Sequence, residues 1–373
     1  MIKINKQRFR EVPLILVMVG YVLIQMANPF ELNAIVSIGT WTIVLGCILL
    51  LLSINVLSNS KLDKTTLALY FLIFTIVISL LINEYISYST IVAISCFLEI
   101  PIFICSYESS GFASKKLILF ANFILSVFYI IMSRSPLAYI YKNEWGSKAI
   151  SQLTLSYNNP NETAMFLFGC LVILVYTFFL LKNKFWRIFV GIDVIWMVYL
   201  IILTECRTIL TVMFFFFVLL LFYKRRNISN FLVVVSFVLP IAYIFLLSFF
   251  EEELVNSIFS DSGRRDIYQS IMENTSIKSF FFGNLSIEFN NMHNASITIF
   301  ATVGILGTLL FYYLLNKKIK IFVYVNECQK KILVIGLLCM VIQTATEAAY
   351  FTAGSAFAAC FLSVYFLCLP SEI

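Results

Sequence analysis

The sequence predicts an all-α, polytopic membrane protein with about 12 spanning helices and two long outer loops. Three observations carry that expectation. First, 61% of the 373 residues are apolar, only 12% are charged, and mean hydropathy is +0.94. Soluble domains run near about 45–50% apolar and about 25% charged. Second, apolar runs of spanning length recur along the whole chain. Third, the basic residues cluster in every second gap between them. These features exclude a soluble enzyme, a disordered chain, a collagen and a disulfide-rich secreted module. Spans of about 20 residues would take about 240 residues, too many to leave a second soluble domain. The whole chain, 1–373, reads as one integral membrane domain.

The elements follow in order. Lys3, Lys6, Arg8 and Arg10 precede an apolar stretch from Pro13 to Ala27. This is similar to a signal peptide, but no small-x-small cleavage site follows, so we expect an uncleaved first span over 13–30. Apolar runs then predict spans over 34–57, 65–83, 89–107 and 117–133. The fourth carries Glu99 just before Pro101. A long loop, 134–161, leads to spans over 162–181, 186–204, 207–223 and 231–250. A second long loop, 251–292, precedes spans over 293–315, 331–349 and 351–369. Short amphipathic helices are expected in both long loops. The least secure joins are 204–206 and the neighbourhood of 350.

Charge placement tests this count. The N-terminal four, Lys61 and Lys64, Lys115 and Lys116, and Lys182, Lys184 and Arg187 all fall on one side. So do Lys224, Arg225 and Arg226, and Lys317, Lys318, Lys320, Lys330 and Lys331. The positive-inside rule makes that side cytoplasmic, with both termini inside. The net charge of +6 thus reports topology and gives no reason to expect nucleic acid. Arg134, Lys142, Lys148, Arg207, Arg264, Arg265 and Lys278 are left on the outer side. Topology does not account for them. Both long loops lie there too, with Tyr139, Tyr141, Trp145, Tyr157, Tyr268 and Phe280–Phe282. Loops of this length without evident structure are usually functional or disordered, and aromatics argue against disorder. The active face should look outward from the plasma membrane.

Several residues could carry chemistry. Arg207, in Thr204-Glu205-Cys206-Arg207-Thr208, opens span eight. It is either a snorkelling Arg paired with Glu205 or an anion-binding group facing the bundle. Asp261-Ser262-Gly263-Arg264-Arg265-Asp266-Ile267-Tyr268 reads as a capped amphipathic helix at the outer interface. It either anchors to lipid headgroups or clamps substrate phosphate, since Arg forks suit diphosphate oxygens. His293 is the single histidine and opens span ten. It is a polar interface residue or a proton acceptor near neutral pH. Asn158-Asn159-Pro160-Asn161-Glu162 precedes span six, as a helix cap or as an anion site at a helix start. Among intramembrane acids, Glu99 and Glu347 are functional candidates or hydrogen-bonded packing, and Asp193 lies within span seven. The nine Cys show no CxxC spacing, and a His-ligated metal site is not expected. No P-loop, GxGxxG or repeat is present, so no cofactor is expected.

Taken in order, these motifs become more specific: Asn159-Pro160-Asn161, Cys206-Arg207-Thr208, Ser262-Gly263-Arg264, His293-Asn294-Ala295-Ser296, and Val303-Gly304-Ile305-Leu306-Gly307. The order resembles the O-antigen ligase and polysaccharide polymerase superfamily, the Wzy-like membrane glycosyltransferases. The matching core runs from about 159 to 310. The resemblance implies a GT-C-type, metal-independent enzyme acting on undecaprenyl-diphosphate-linked oligosaccharides at the outer face of the bacterial plasma membrane. A polymerase moves the growing glycan onto the next lipid-linked repeat unit. It implies Arg207 and Arg264 as diphosphate clamps and His293 at the reacting hydroxyl, with Arg265 as a lesser candidate. Asn161, Asn294, Tyr268, Trp145 and Glu347 are the expected substrate-binding positions. Trp145 and Tyr268 offer apolar faces to sugar rings. A capsule or exopolysaccharide polymerase is the first expectation, with a chain-length regulator and a flippase as partners. The alternatives are a ligase of the same superfamily and a lipid-linked oligosaccharide flippase. A transporter typically shows repeats and charged, broken helices at the midplane. Here the unexplained charges gather at one face.

Overall fold

The computed structural model describes residues 6–57, 64–83, 88–107, 112–144, 148–155, 157, 159–221, 275–283, 294–323, 329–344, 349–352 and 354–370. Among these residues it is a mostly helical bundle with one small hairpin. The helices are α1 (Lys6–Ala27), α2 (Asn33–Leu57), α3 (Lys64–Asn83), α4 (Tyr88–Ser106) and α5 (Phe112–Met132). Then come α6 (Pro160–Leu180), α7 (Lys184–Leu203), α8 (Arg207–Leu221) and the short α9 (Ile277–Phe282). The chain closes with α10 (Ala295–Val323), α11 (Lys330–Gln343), α12 (Ala349–Thr352) and α13 (Ser355–Cys368). Among the described residues, seven helices are long and apolar enough to cross a membrane, and shorter apolar helices accompany them. The ninth expected span, 231–250, lies outside the described residues.

The core is built by α6, α11 and α13, which pack on one another. Every residue of α13 is buried, as are fourteen consecutive residues of α6, Thr163–Tyr176. Lipid tails are as apolar as Leu, so close packing rather than hydrophobicity must hold such helices together. Small residues permit it. A Cβ on Gly169 of α6 would overlap the Cys360 sulfur of α13. Gly20 of α1 and Gly39 of α2 likewise face each other's backbone. Phe166 of α6 stacks on Phe357 of α13, with ring centroids 4.4 Å apart.

Two departures from the sequence reading bear on function. Among its described residues, loop 134–161 holds no short amphipathic helix. After a single 3-10 turn at Pro136–Ala138 it forms an antiparallel hairpin, β1 (Tyr139–Glu144) with β2 (Lys148–Leu153), Tyr139 opposite Leu153. Tyr, Ile and alternating polar residues favour strand over helix here. The tenth span is not continuous either. Gly304 has φ 67° and ψ −174°, a conformation open only to glycine, and it breaks α10.

The short α9 docks into that break. Gly283, which ends α9 with φ 78°, lies against the Thr302–Val303 backbone, and Gly304 lies against that of Phe281 and Phe282. Gly304 is about 14 Å along α10 from its first residue at 1.5 Å per residue. The end of α9 therefore sits within the thickness of the bundle. Its Ile277, Phe280 and Phe281 stay exposed on the outside.

Candidate functional site

Pairings across the bundle define two ends. At one end, Gln152 of β2 donates to Glu205 at 3.0 Å, and the Ala295 N–H donates to the Thr344 carbonyl at 2.9 Å. At the other, Lys115 donates to the Leu369 carbonyl at 2.5 Å, and Gln329 to that of Phe179 at 3.1 Å. The second end is rich in lysine: Lys115, Lys318 and Lys330 are all buried there or nearby. A cation on the last carbonyls of α13 also answers the helix dipole. The first end, beside the hairpin, gathers the starts of α6, α8 and α10.

Those three helix starts carry the described candidates. Asn159 caps α6, its Oδ1 accepting the Asn161 N–H at 2.9 Å, with Pro160 in the first helical position. Asn161 is half-buried. Helix α7 ends at Leu203 and α8 begins at Arg207, separated by a tight turn in which Glu205 has φ 53°. Cys206 donates its N–H to the Thr204 hydroxyl at 3.3 Å, so the turn is locked from within. Arg207 is exposed, and Glu205 is bonded to Gln152 rather than paired with it. The snorkelling ion pair weighed from the sequence is thus not formed. Asn294 is fully buried and caps α10, accepting the Ile297 N–H at 3.1 Å. Next to it, the Ser296 and Tyr312 hydroxyls lie 2.6 Å apart. His293, Arg264, Arg265, Tyr268, Trp145 and Glu347 lie outside the described residues.

A buried polar knot beneath the hairpin fixes this end, and the sequence did not single it out. Gln25 near the end of α1 accepts from the Tyr129 hydroxyl at 2.7 Å and from the Tyr157 hydroxyl. Burial pushes the Tyr157 phenol well above its usual value, so it stays a neutral donor. The Thr163 hydroxyl of α6 donates to the Thr154 carbonyl at 2.5 Å, and Thr154 returns its N–H to Ala138 at 2.7 Å. The strand-to-helix path into Asn161 is therefore held at both ends. A pairing between residues 104 or 132 positions apart leaves no local sequence signal.

Among the described residues no group of three His, Cys, Asp or Glu could hold a metal ion. What this end offers is a cationic Arg at a helix start, capped helix N-termini and a two-stranded hairpin. Such a set can bind an anionic group at the edge of the bundle. Neither family models, curated proteins nor solved structures give a match to the chain.

Proposed function

We propose that the chain is a membrane glycosyltransferase, a polysaccharide polymerase using undecaprenyl-diphosphate-linked repeat units at the outer face of the plasma membrane. The observation that supports this reading is the common placement of Asn161, Arg207 and Asn294. Three motifs scattered over 134 positions of sequence all open helices at the hairpin end of the bundle. Arg207 faces outward there without a carboxylate partner among the described residues, as an anion-binding group needs.

The chemistry balances without a nucleotide. The bond between the anomeric carbon and the lipid diphosphate breaks, and the diphosphate leaves with the electron pair. A new bond forms from that carbon to a hydroxyl of the next repeat unit, whose proton passes to His293. Negative charge grows on the diphosphate oxygens, where Arg207 and Arg264 donate. Preorganised donors of this kind are each worth about 10²–10³ in rate. The test is a glycan ladder from purified protein and lipid-linked repeat units, without nucleotide or metal. A ladder from the native chain that Arg207→Ala and His293→Ala abolish supports the polymerase and its site. A ladder that survives both leaves the enzyme but rejects the site. Glycan moved only to a different acceptor indicates a ligase.

One observation favours a second reading, a lipid-linked oligosaccharide flippase. Helix α10 is broken at Gly304, and α12 and α13 are separated at Gly354. Interrupted helices inside the membrane are a common device of transporters. Movement of a fluorescent lipid-linked oligosaccharide across a vesicle membrane, without elongation, would establish it.

A further inference from the structure

Glu99 is fully buried on α4, two residues before Pro101. Its Oε1 accepts from the Ser355 hydroxyl at 2.5 Å, and that hydroxyl lies 3.4 Å from the Cys96 sulfur. Its Oε2 is buried with no hydrogen-bond partner among the described residues. Ser355 is the first residue of α13 and follows Gly354, which has φ 138° and ψ 165°. Gly354 stands at the N-cap of α13 and supplies no side-chain cap to its first N–H groups. Gly354 is half-exposed, and no described residue lies within 4 Å of the position a Cβ would take there. Three features therefore meet: an acid with one bare oxygen, an uncapped helix start, and open space beside it. Glu99 stands about 12 Å along α4 from Tyr107, well inside the bundle.

Among the described residues, the helices packed against α4 bring no compensating charge to it. Helices α2, α12 and α13 contain no Lys, Arg, Asp or Glu. Helix α3 has only Lys64, at its first residue, and α10 has Lys317, Lys318 and Lys320 in its last turns. The titratable neighbours are the thiols of Cys47 on α2 and Cys96 on α4. Tyr312, Tyr350 and Tyr365 direct their hydroxyls to Ser296, to the Met165 carbonyl and to the Ile104 carbonyl. A bare carboxylate would sit in an apolar bundle on one hydroxyl, which is costly. A proton on Oε2 removes the charge and turns the orphan oxygen into a donor. Pro101 supplies no N–H for the Phe97 carbonyl, so this stretch of α4 also holds a freed acceptor. Once water reaches the site, the N-terminal dipole of α13 favours the carboxylate instead.

We propose that Glu99 is a proton-binding site, loaded in the conformation described and emptied when water reaches its bare oxygen beside the start of α13. The proton passes to water, and no other reactant is required. The site does not depend on the transfer reading, and its test needs no activity. The full chain in lipid nanodiscs is treated with a membrane-permeant maleimide over a range of pH, and Cys96 labelling is read by peptide mass spectrometry. Thiol ionisation alone raises labelling with pH, so the quantity read is the native rate divided by that of Glu99→Gln. The ratio should rise about tenfold or more with pH. Over the same range, the native infrared spectrum should lose a protonated-carboxyl band that Glu99→Gln lacks throughout. A flat ratio, or a Glu99 signal that is carboxylate at every pH, overturns the proposal. If Glu99→Gln does not fold, Ser355→Ala serves: it keeps the carboxyl and removes its one described bond. Because the Ser355 hydroxyl also lies beside the Cys96 sulfur, the quantity read in this variant is the protonated-carboxyl band and not the labelling. The pH at which that band is lost should move, and an unmoved midpoint also overturns the proposal.

Discussion

Helices α6 and α7 are neighbours in sequence, joined by a three-residue turn, and both are apolar enough to cross a membrane. Yet 78% of the spanning part of α6 is buried inside the protein and only 28% of α7. Helix α7 turns Phe185, Ile188, Phe189, Ile192, Ile195, Tyr199 and Ile202 outward, a single stripe at helical spacing. Helix α6 has no such face. Hydropathy therefore says that a segment spans but not whether it meets lipid or protein. The cost of a substitution follows the second property.

The largest difference should come from glycines. Gly169→Val in α6 drives a branched side chain into Cys360, and should cost about 3 kcal/mol or prevent recovery of folded protein. Gly191→Ala in α7 meets only the Phe178 ring, at 3.2 Å, and should be near neutral. Thermal unfolding in detergent reads both. Next, Phe166→Ala removes a fully buried ring from the stack with Phe357 and should lower stability by about 2–3 kcal/mol, mostly through lost packing contacts. Ile195→Ala, at a position 70% exposed toward lipid, should change it by less than about 0.5 kcal/mol. Equal losses at the two sites would end the distinction.

Smaller effects test where α7 is not lipid-like. Asp193 is its buried acid, accepting from Ser126 of α5 at 2.6 Å while its other oxygen has no described partner. Ser126→Ala should cost about 1–2 kcal/mol by stripping that bond, and Asp193→Asn should recover part of the loss in a double-mutant cycle. Smallest of all, Gln152→Ala removes an exposed bond from the hairpin to Glu205 and should stay within about 0.5 kcal/mol. Its use is diagnostic: faster proteolysis of the hairpin would show that the bond holds it against the α7–α8 turn.

Local signals were legible and long-range ones were not. Asn159-Pro160 marks the start of α6, because caps are built from adjacent residues, whereas the turn at 204–206 falls at one of the joins the sequence leaves least secure. The hairpin was read as a loop with helices, since six-residue strands between helices carry little periodicity. Gly304 sat in an apolar helical run, where a single glycine is ordinarily tolerated. Its break depends on Gly283, twenty-one positions away, and Glu99 depends on Ser355, 256 positions away. Of the candidate site, the three helix starts could be placed, whereas the roles given to His293, Arg264 and Arg265 rest on the resemblance.

The docking of α9 into the break of α10 has a consequence for biogenesis. Six residues are far too few to leave a translocon for lipid unaided, where about 20 are needed. During synthesis α9 emerges before α10, so of the two helices that receive it only α3 yet exists. Its seat against Gly304 can form only once α10 is in place, so this docking is a late packing step that joins a segment already made to a helix that follows it.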